Sequence, residues 1–209
     1  MIFYDCATAP SPRRARMALA EKGLSPEVHQ INLREGAQFG EAFRAINPHC
    51  TVPVLVTEGG TTLTENIAIA AYLEDIAPEP PLFGTTPDAR ALVFQWTAIA
   101  ETQGGMAMAE TLRNSAPAMA GRALPGPLGL DQIPTLAARG RTRLAAFKDM
   151  MEAHLEGRDW IAIDQFSYAD ITAFVFLDYS RVVKMAVDAA HPNLCAFMDR
   201  VRARPSAAA

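Results

Sequence analysis

The stretch Pro78-Glu79-Pro80-Pro81 divides this chain. Proline lacks an amide hydrogen and its ring clashes with the preceding helical turn, so a run this rich in proline continues neither a helix nor a strand ladder. Every strand-like run lies before it, and beyond Pro87-Asp88 only helical periodicity remains. A chain that places its strands first and its helices afterwards builds an α+β unit or two separate domains. Its 209 residues exceed the common domain size of roughly 100–150, so two domains are expected: 1–77 and 89–209, with 78–88 as the linker.

The first part reads β-α-β-α-β-β-α. Residues 2–6 are a short apolar and aromatic run ahead of a Pro- and Ser-rich turn, as in a buried strand. Ser11 suits an N-cap with Pro12 as the first helical residue, and Ala15, Met17, Ala18, Leu19 and Ala20 carry that helix to Gly23. Residues 28–33 read as a second strand. Phe39, Phe43 and Ile46 then lie at helical spacing and stop at Asn47-Pro48. Residues 53–57 and 61–63 pair as a hairpin across Glu58-Gly59-Gly60, and Ile67, Ile69, Tyr72, Leu73 and Ile76 form an apolar helix.

Past the boundary, residues 89–113 read as one long helix interrupted by Gly104-Gly105, where a kink is expected. Residues 115–130, rich in Ala, Pro and Gly, form a loop, and helical periodicity resumes over 131–154. Ser167-Tyr168-Ala169-Asp170 precedes the apolar run 171–183 as a capping box with Asp in place of Glu. Residues 193–204 make a final amphipathic helix.

Composition narrows the partners. Half the residues are apolar and a fifth are charged, which is enough to bury a core. The net charge is −4 and the arginines are scattered among carboxylates, so there is no basic stripe for a phosphate backbone and no nucleic-acid partner is expected. The three cysteines, Cys6, Cys50 and Cys195, are widely separated and suit neither a disulfide framework nor a metal cluster; no metal is expected. The first residues lack a basic, apolar leader, and no uncharged run of about 18 residues occurs. A cytoplasmic protein without membrane contact is expected.

Three motifs of the first part belong together: Pro12-Arg13-Arg14-Ala15-Arg16-Met17-Ala18-Leu19-Ala20-Glu21-Lys22-Gly23, Thr51-Val52-Pro53-Val54-Leu55 and Thr64-Glu65-Asn66-Ile67-Ala68-Ile69. They resemble the cytosolic glutathione transferase family. Phe166-Ser167-Tyr168-Ala169-Asp170-Ile171 resembles that family's capping motif. His191-Pro192-Asn193-Leu194 with Arg202-Ala203-Arg204-Pro205-Ser206 resembles its C-terminal helix, so the resemblance covers nearly the whole chain. It implies an α/β plus all-α architecture: an N-terminal thioredoxin-like βαβαββα domain that binds glutathione, followed by an all-helical C-terminal domain that contributes the acceptor-substrate site. It also implies a homodimer.

Glutathione offers an ammonium and a carboxylate at its γ-glutamyl end, a glycyl carboxylate at the other end and a thiol between them. By the resemblance, the Val52 backbone pairs with the tripeptide beside a cis Val52–Pro53 bond; proline lowers the cost of cis to ~0.5–1 kcal/mol. Glu65 receives the ammonium. Asn66, where the family more often has Ser, receives the γ-glutamyl carboxylate together with the N–H groups of its helix. Thr51 stands where the family often has Lys or Gln, so Gln38, at the start of the second helix, is the better candidate for the glycyl end. A thiol of pKa ~8.5 is only a few per cent ionised at neutral pH, so a donor must favour the thiolate. Ser11 is the first candidate and Thr8 the second, because the family's commoner Ser position is Ala9 here.

Cys6 reads as a buried thiol, His49 as a surface loop residue, and at least two of Arg13, Arg14 and Arg16 as a solvated helix face. Phe94, Trp96, Met106 and Met108 are candidates for an acceptor pocket or for core packing. The expected activity is addition of the glutathione thiolate to a small hydrophobic electrophile. A glutathione-dependent isomerase, dehalogenase or peroxidase is an alternative, and so is a non-catalytic binding or assembly module on the same fold.

Overall fold

Alternation along the first strand, β1 (Ile2–Asp5), sets the sheet: Phe3 and Asp5 are buried while Ile2 and Tyr4 are half-buried. The computed structural model describes residues 1–209 and divides into two units. The first comprises Met1–Pro80 with Leu124–Leu128 and Ala209; the second comprises Pro81–Ala123 and Gly129–Ala208. In the first, β1 pairs in parallel with β2 (Glu27–Gln30) and antiparallel with β3 (Val54–Val56), and β3 pairs antiparallel with β4 (Thr62–Leu63). The order is β2-β1-β3-β4, with Phe3 opposite both Val28 and Leu55. With its three helices this is the thioredoxin-like arrangement. β2 stops at Gln30, short of the expected residue 33. Ile31 N–H still reaches the Asp5 carbonyl at 2.7 Å, but β1 ends at Asp5 and its ladder with β2 goes no further.

Helix α1 (Pro10–Glu21) buries Ala15, Met17, Ala18 and Leu19 and packs against α3 (Asn66–Ile76). It starts earlier than its sequence suggests: Pro10 is the first helical residue and Ala9 the N-cap, so Ser11 is not a cap but the second residue of the helix. Pro10 already supplies the φ a first turn requires, and a missing N–H costs nothing there. The buried Lys22 ammonium binds Glu74 at 2.6 Å and the Pro80 carbonyl at 2.6 Å, which ties α1 and α3 to the proline stretch. The expected second helix is two pieces, a 3₁₀ turn (Ala37–Phe39) and α2 (Glu41–Ile46), separated by the extended Gly40. Gln38 lies in the 3₁₀ turn, not at the start of α2.

The second unit is helical: α4 (Pro87–Ile99), α5 (Met106–Arg113), α6 (Pro134–His154), α7 (Tyr168–Tyr179) and α8 (Pro192–Arg202). The helix does not break at Gly104-Gly105. A π turn over Ala100–Gly105 joins α4 to α5, and a Cβ on Gly104 or Gly105 would lie 2.5 Å from the Phe147 ring or 2.6 Å from the Phe176 ring. The two glycines admit aromatic rings rather than kink the chain. Arg143 donates to the Thr102 carbonyl inside the π turn at 2.6 Å and to Glu110 at 2.9 Å. Hydrogen bonding from Arg139, aided by Arg143, holds the Glu110 carboxyl below its ordinary range.

Helix α7 is the apolar centre, buried at every position from Tyr168 to Leu177. Its start is held by the expected capping box. Asp170 Oδ2 accepts from the Ser167 N–H and hydroxyl, each at 2.8 Å, and Oδ1 accepts from Ile161 N–H at 2.8 Å. Burial pushes this carboxyl up to about 6, against hydrogen bonds that favour the anion. No helix is long and apolar enough to cross a membrane.

Candidate functional site

Two helix starts meet in the first unit. Neither α1 nor α3 carries a side-chain cap, so N–H donors of their first turns remain for an outside acceptor. Asn66, the first residue of α3, donates from Nδ2 to Ser11 Oγ at 2.9 Å and so joins the two positive helix ends. Arg14 Nη2 donates to the same oxygen at 3.3 Å. A hydroxyl has two lone pairs and one proton; with both lone pairs used, the Ser11 proton is left to donate outward. Asn66 is 4% exposed and its Oδ1 is buried without a partner. One of its amide protons, expected to face a ligand carboxylate, is committed to Ser11.

The other candidates lie on loops and helix ends of the same unit. Glu65 is the N-cap residue of α3, exposed, and makes no side-chain cap bond. The Val52–Pro53 bond is cis, and the ladder begins at Val54, so half-buried Val52 stands outside it. The carbonyl and hydroxyl of Thr51 accept from Asn47 Nδ2 at 2.9 and 3.1 Å, while Asn47 Oδ1 accepts from His49 N–H at 3.0 Å. Thr51 is thus used in holding the loop ahead of the cis proline. In the sequence Asn47 reads only as a helix stop before Pro48; nothing local distinguishes its second function. Gln38 is buried, 3% exposed, and its Oε1 has no partner.

A second group braces the loop after β1. Arg16 donates to Asp5 at 2.5 Å and to the Ala7 carbonyl at 3.2 Å; Gln30 donates to Asp5 at 2.7 Å and accepts from Ala7 N–H at 3.1 Å. Arg16 and the buried Arg14 are structural partners, which corrects their reading as a solvated face. Thr8 is exposed beside an open cleft of about 370 Å³ that Gln30, Asn32 and Arg34 also line. Its hydroxyl lies 3.6 Å from the buried Cys6 thiol. In the second unit Met108 belongs to the core, and Trp96 lies against His154 with ring centroids 3.8 Å apart and the ring planes tilted by 31°. Phe94 and Met106 stay substantially exposed.

Residues 8–76 match the family model described as glutathione S-transferase, N-terminal domain, and residues 130–205 match glutathione S-transferase, C-terminal domain. Glutathione S-transferase 2 of Saccharomyces cerevisiae is 32% identical over 209 residues, covering 99% of this chain and 87% of that protein. Maleylacetoacetate isomerase of Mus musculus is 39% identical over 94 residues, 44% of this chain and 43% of that protein. A glutathione transferase homolog from Sulfitobacter, solved with bound glutathione, has a TM-score of 0.83 at 25% identity, covering 99% of this chain and 94% of the other.

Proposed function

Because the chain belongs to the glutathione S-transferase family, we propose that this transferase binds glutathione in its first unit and adds the thiolate to a small hydrophobic electrophile. The observation that carries this reading is the meeting of two uncapped helix starts at Ser11 and Asn66, with the Ser11 proton free to donate. Glu65 takes the γ-glutamyl ammonium. The first-turn N–H groups of α3 take the adjacent carboxylate, the Val52 backbone pairs with the peptide, and Gln38 meets the glycyl end. Ser11 donates to the sulfur, prefers thiolate to thiol and so lowers the thiol pKa. The thiol proton leaves to solvent. A sulfur lone pair then forms the new C–S bond, while the electrons of the broken bond depart with the leaving group or, for an epoxide, stay on its oxygen.

A second reading draws on the isomerase likeness of the N-terminal part: glutathione adds to the substrate and is expelled again. Conjugation consumes glutathione stoichiometrically and isomerisation does not. Glutathione titration calorimetry run beside turnover with an aryl halide, an epoxide and a hydroperoxide separates the readings. Binding with adduct formation supports the transferase, binding with oxidised glutathione a peroxidase, and binding without turnover of any of these substrates the isomerase or a non-catalytic module, which turnover of a cis-enone without loss of glutathione tells apart. The absence of binding removes all of them. A homodimer in the cytoplasm, suited to detoxifying electrophiles, completes the proposal; sedimentation equilibrium tests the dimer, and the free cysteines suit a reducing compartment.

A further inference from the structure

The geometry points to Asn66 and Arg14 as positioning residues that aim the Ser11 proton at the glutathione sulfur, an inference that rests on the thiol-activating role proposed for Ser11. A serine hydroxyl ordinarily rotates among its partners and spends its proton on whichever acceptor is nearest. Here both neighbours are donors only: the Asn66 amide nitrogen at 2.9 Å and the Arg14 guanidinium at 3.3 Å. Neither can receive the Ser11 proton, so the hydroxyl presents it in the one tetrahedral direction left. A hydroxyl side chain in place of Asn66 could reverse the bond and take that proton; an amide nitrogen cannot.

Two further observations support this role. Asn66 is 4% exposed with Oδ1 buried and unpartnered, and a buried amide oxygen without a hydrogen bond carries a desolvation penalty that a plain helix start would not require. Arg14 is 6% exposed, so its charge acts on Ser11 through little water and polarises the O–H toward a stronger donor.

The test titrates the ultraviolet absorbance of bound thiolate in wild type, Ser11→Ala, Asn66→Ala and the double variant, with glutathione affinity measured for each. Asn66→Ala is expected to raise the bound-thiol pKa by ~0.5–1 unit and to lower turnover at neutral pH by ~3–10-fold, with no further shift when added to Ser11→Ala. Equal shifts in both backgrounds, or no shift beside an intact Ser11, overturn the inference. Arg14→Met keeps the buried stem and removes the donor, and it is read in the same way should Asn66→Ala not fold. If wild type binds no glutathione, the proposed function has failed and this inference with it. If glutathione binds but Ser11→Ala leaves the thiol pKa unmoved, Ser11 is not the activating group and the positioning role falls for that reason.

Discussion

Ser11 is the residue on which structure and chemistry meet most closely. Because Pro10 rather than Pro12 opens the helix, its hydroxyl is released from capping and stands between Asn66 and Arg14. A hydrogen bond to a charged group is worth ~1.5–3 kcal/mol, so Ser11→Ala should raise the bound-thiol pKa by ~1–2 units and slow turnover at neutral pH by ~10–100-fold. It also strips the acceptor from two donors, so a fall in stability of ~1–3 kcal/mol should accompany it. Thermal melting together with thiolate titration checks both, and a stability loss with an unmoved pKa would leave Ser11 a structural residue. Glu65 behaves oppositely. It is exposed and caps nothing, so Glu65→Ala should leave the melting temperature unchanged while weakening glutathione at least ~10-fold in calorimetry, through loss of a charge-assisted bond.

At the scale of elements, α7 and the α5–α6 contact hold the helical unit. The Asp170 carboxyl, pushed up to about 6 from an ordinary 3.8, binds its proton more tightly folded than unfolded. Its contribution to stability is therefore fully present below 3.8 and is lost as pH rises through 6. Asp170→Asn removes the titration. Its penalty should be largest in acid and shrink between pH 4 and 6, a trend that denaturant unfolding across the range measures; a penalty that grows with pH would mean that the three donors outweigh burial. Gly140 on α6 presses against α5, where a Cβ would lie 2.6 Å from Thr111 Oγ1 and 2.7 Å from the Ala107 carbonyl. Backbone cannot step aside as a side chain can. Gly140→Ala should cost ~1–3 kcal/mol by overpacking, visible as a lowered melting temperature.

At the scale of the whole molecule, glutathione should act as a folding ligand. A molecule that binds only the native state stabilises it by about 2.7 kcal/mol at a hundred times its dissociation constant, so the melting temperature should climb with glutathione concentration, and an unmoved melt would count against the ligand. The division into a strand-bearing first part and a helical second was legible because prolines at 78, 80 and 81 act locally, through sterics that need no partner. The α7 capping box was legible for the same reason: Ser167 and Asp170 are three residues apart, within reach on any helix start. Glu65, Asn66 and the Val52-Pro53 pair could be named as candidates from contiguous motifs, although their partners could not. Asn66 meets Ser11 across 55 residues and Gln30 meets Asp5 across 25, separations at which no periodicity survives. The sequence alone thus determined the order of strands and helices and that the strands come first, since those follow from short-range backbone restriction and apolar spacing. Only the tertiary structure decided that α1 begins at Pro10, that Thr51 and Arg16 brace loops and that the Ser11 proton is left free. Pro10 and Pro12 are equally good first residues locally, and the choice between them, like the direction of each hydrogen bond, depends on what the folded chain brings alongside.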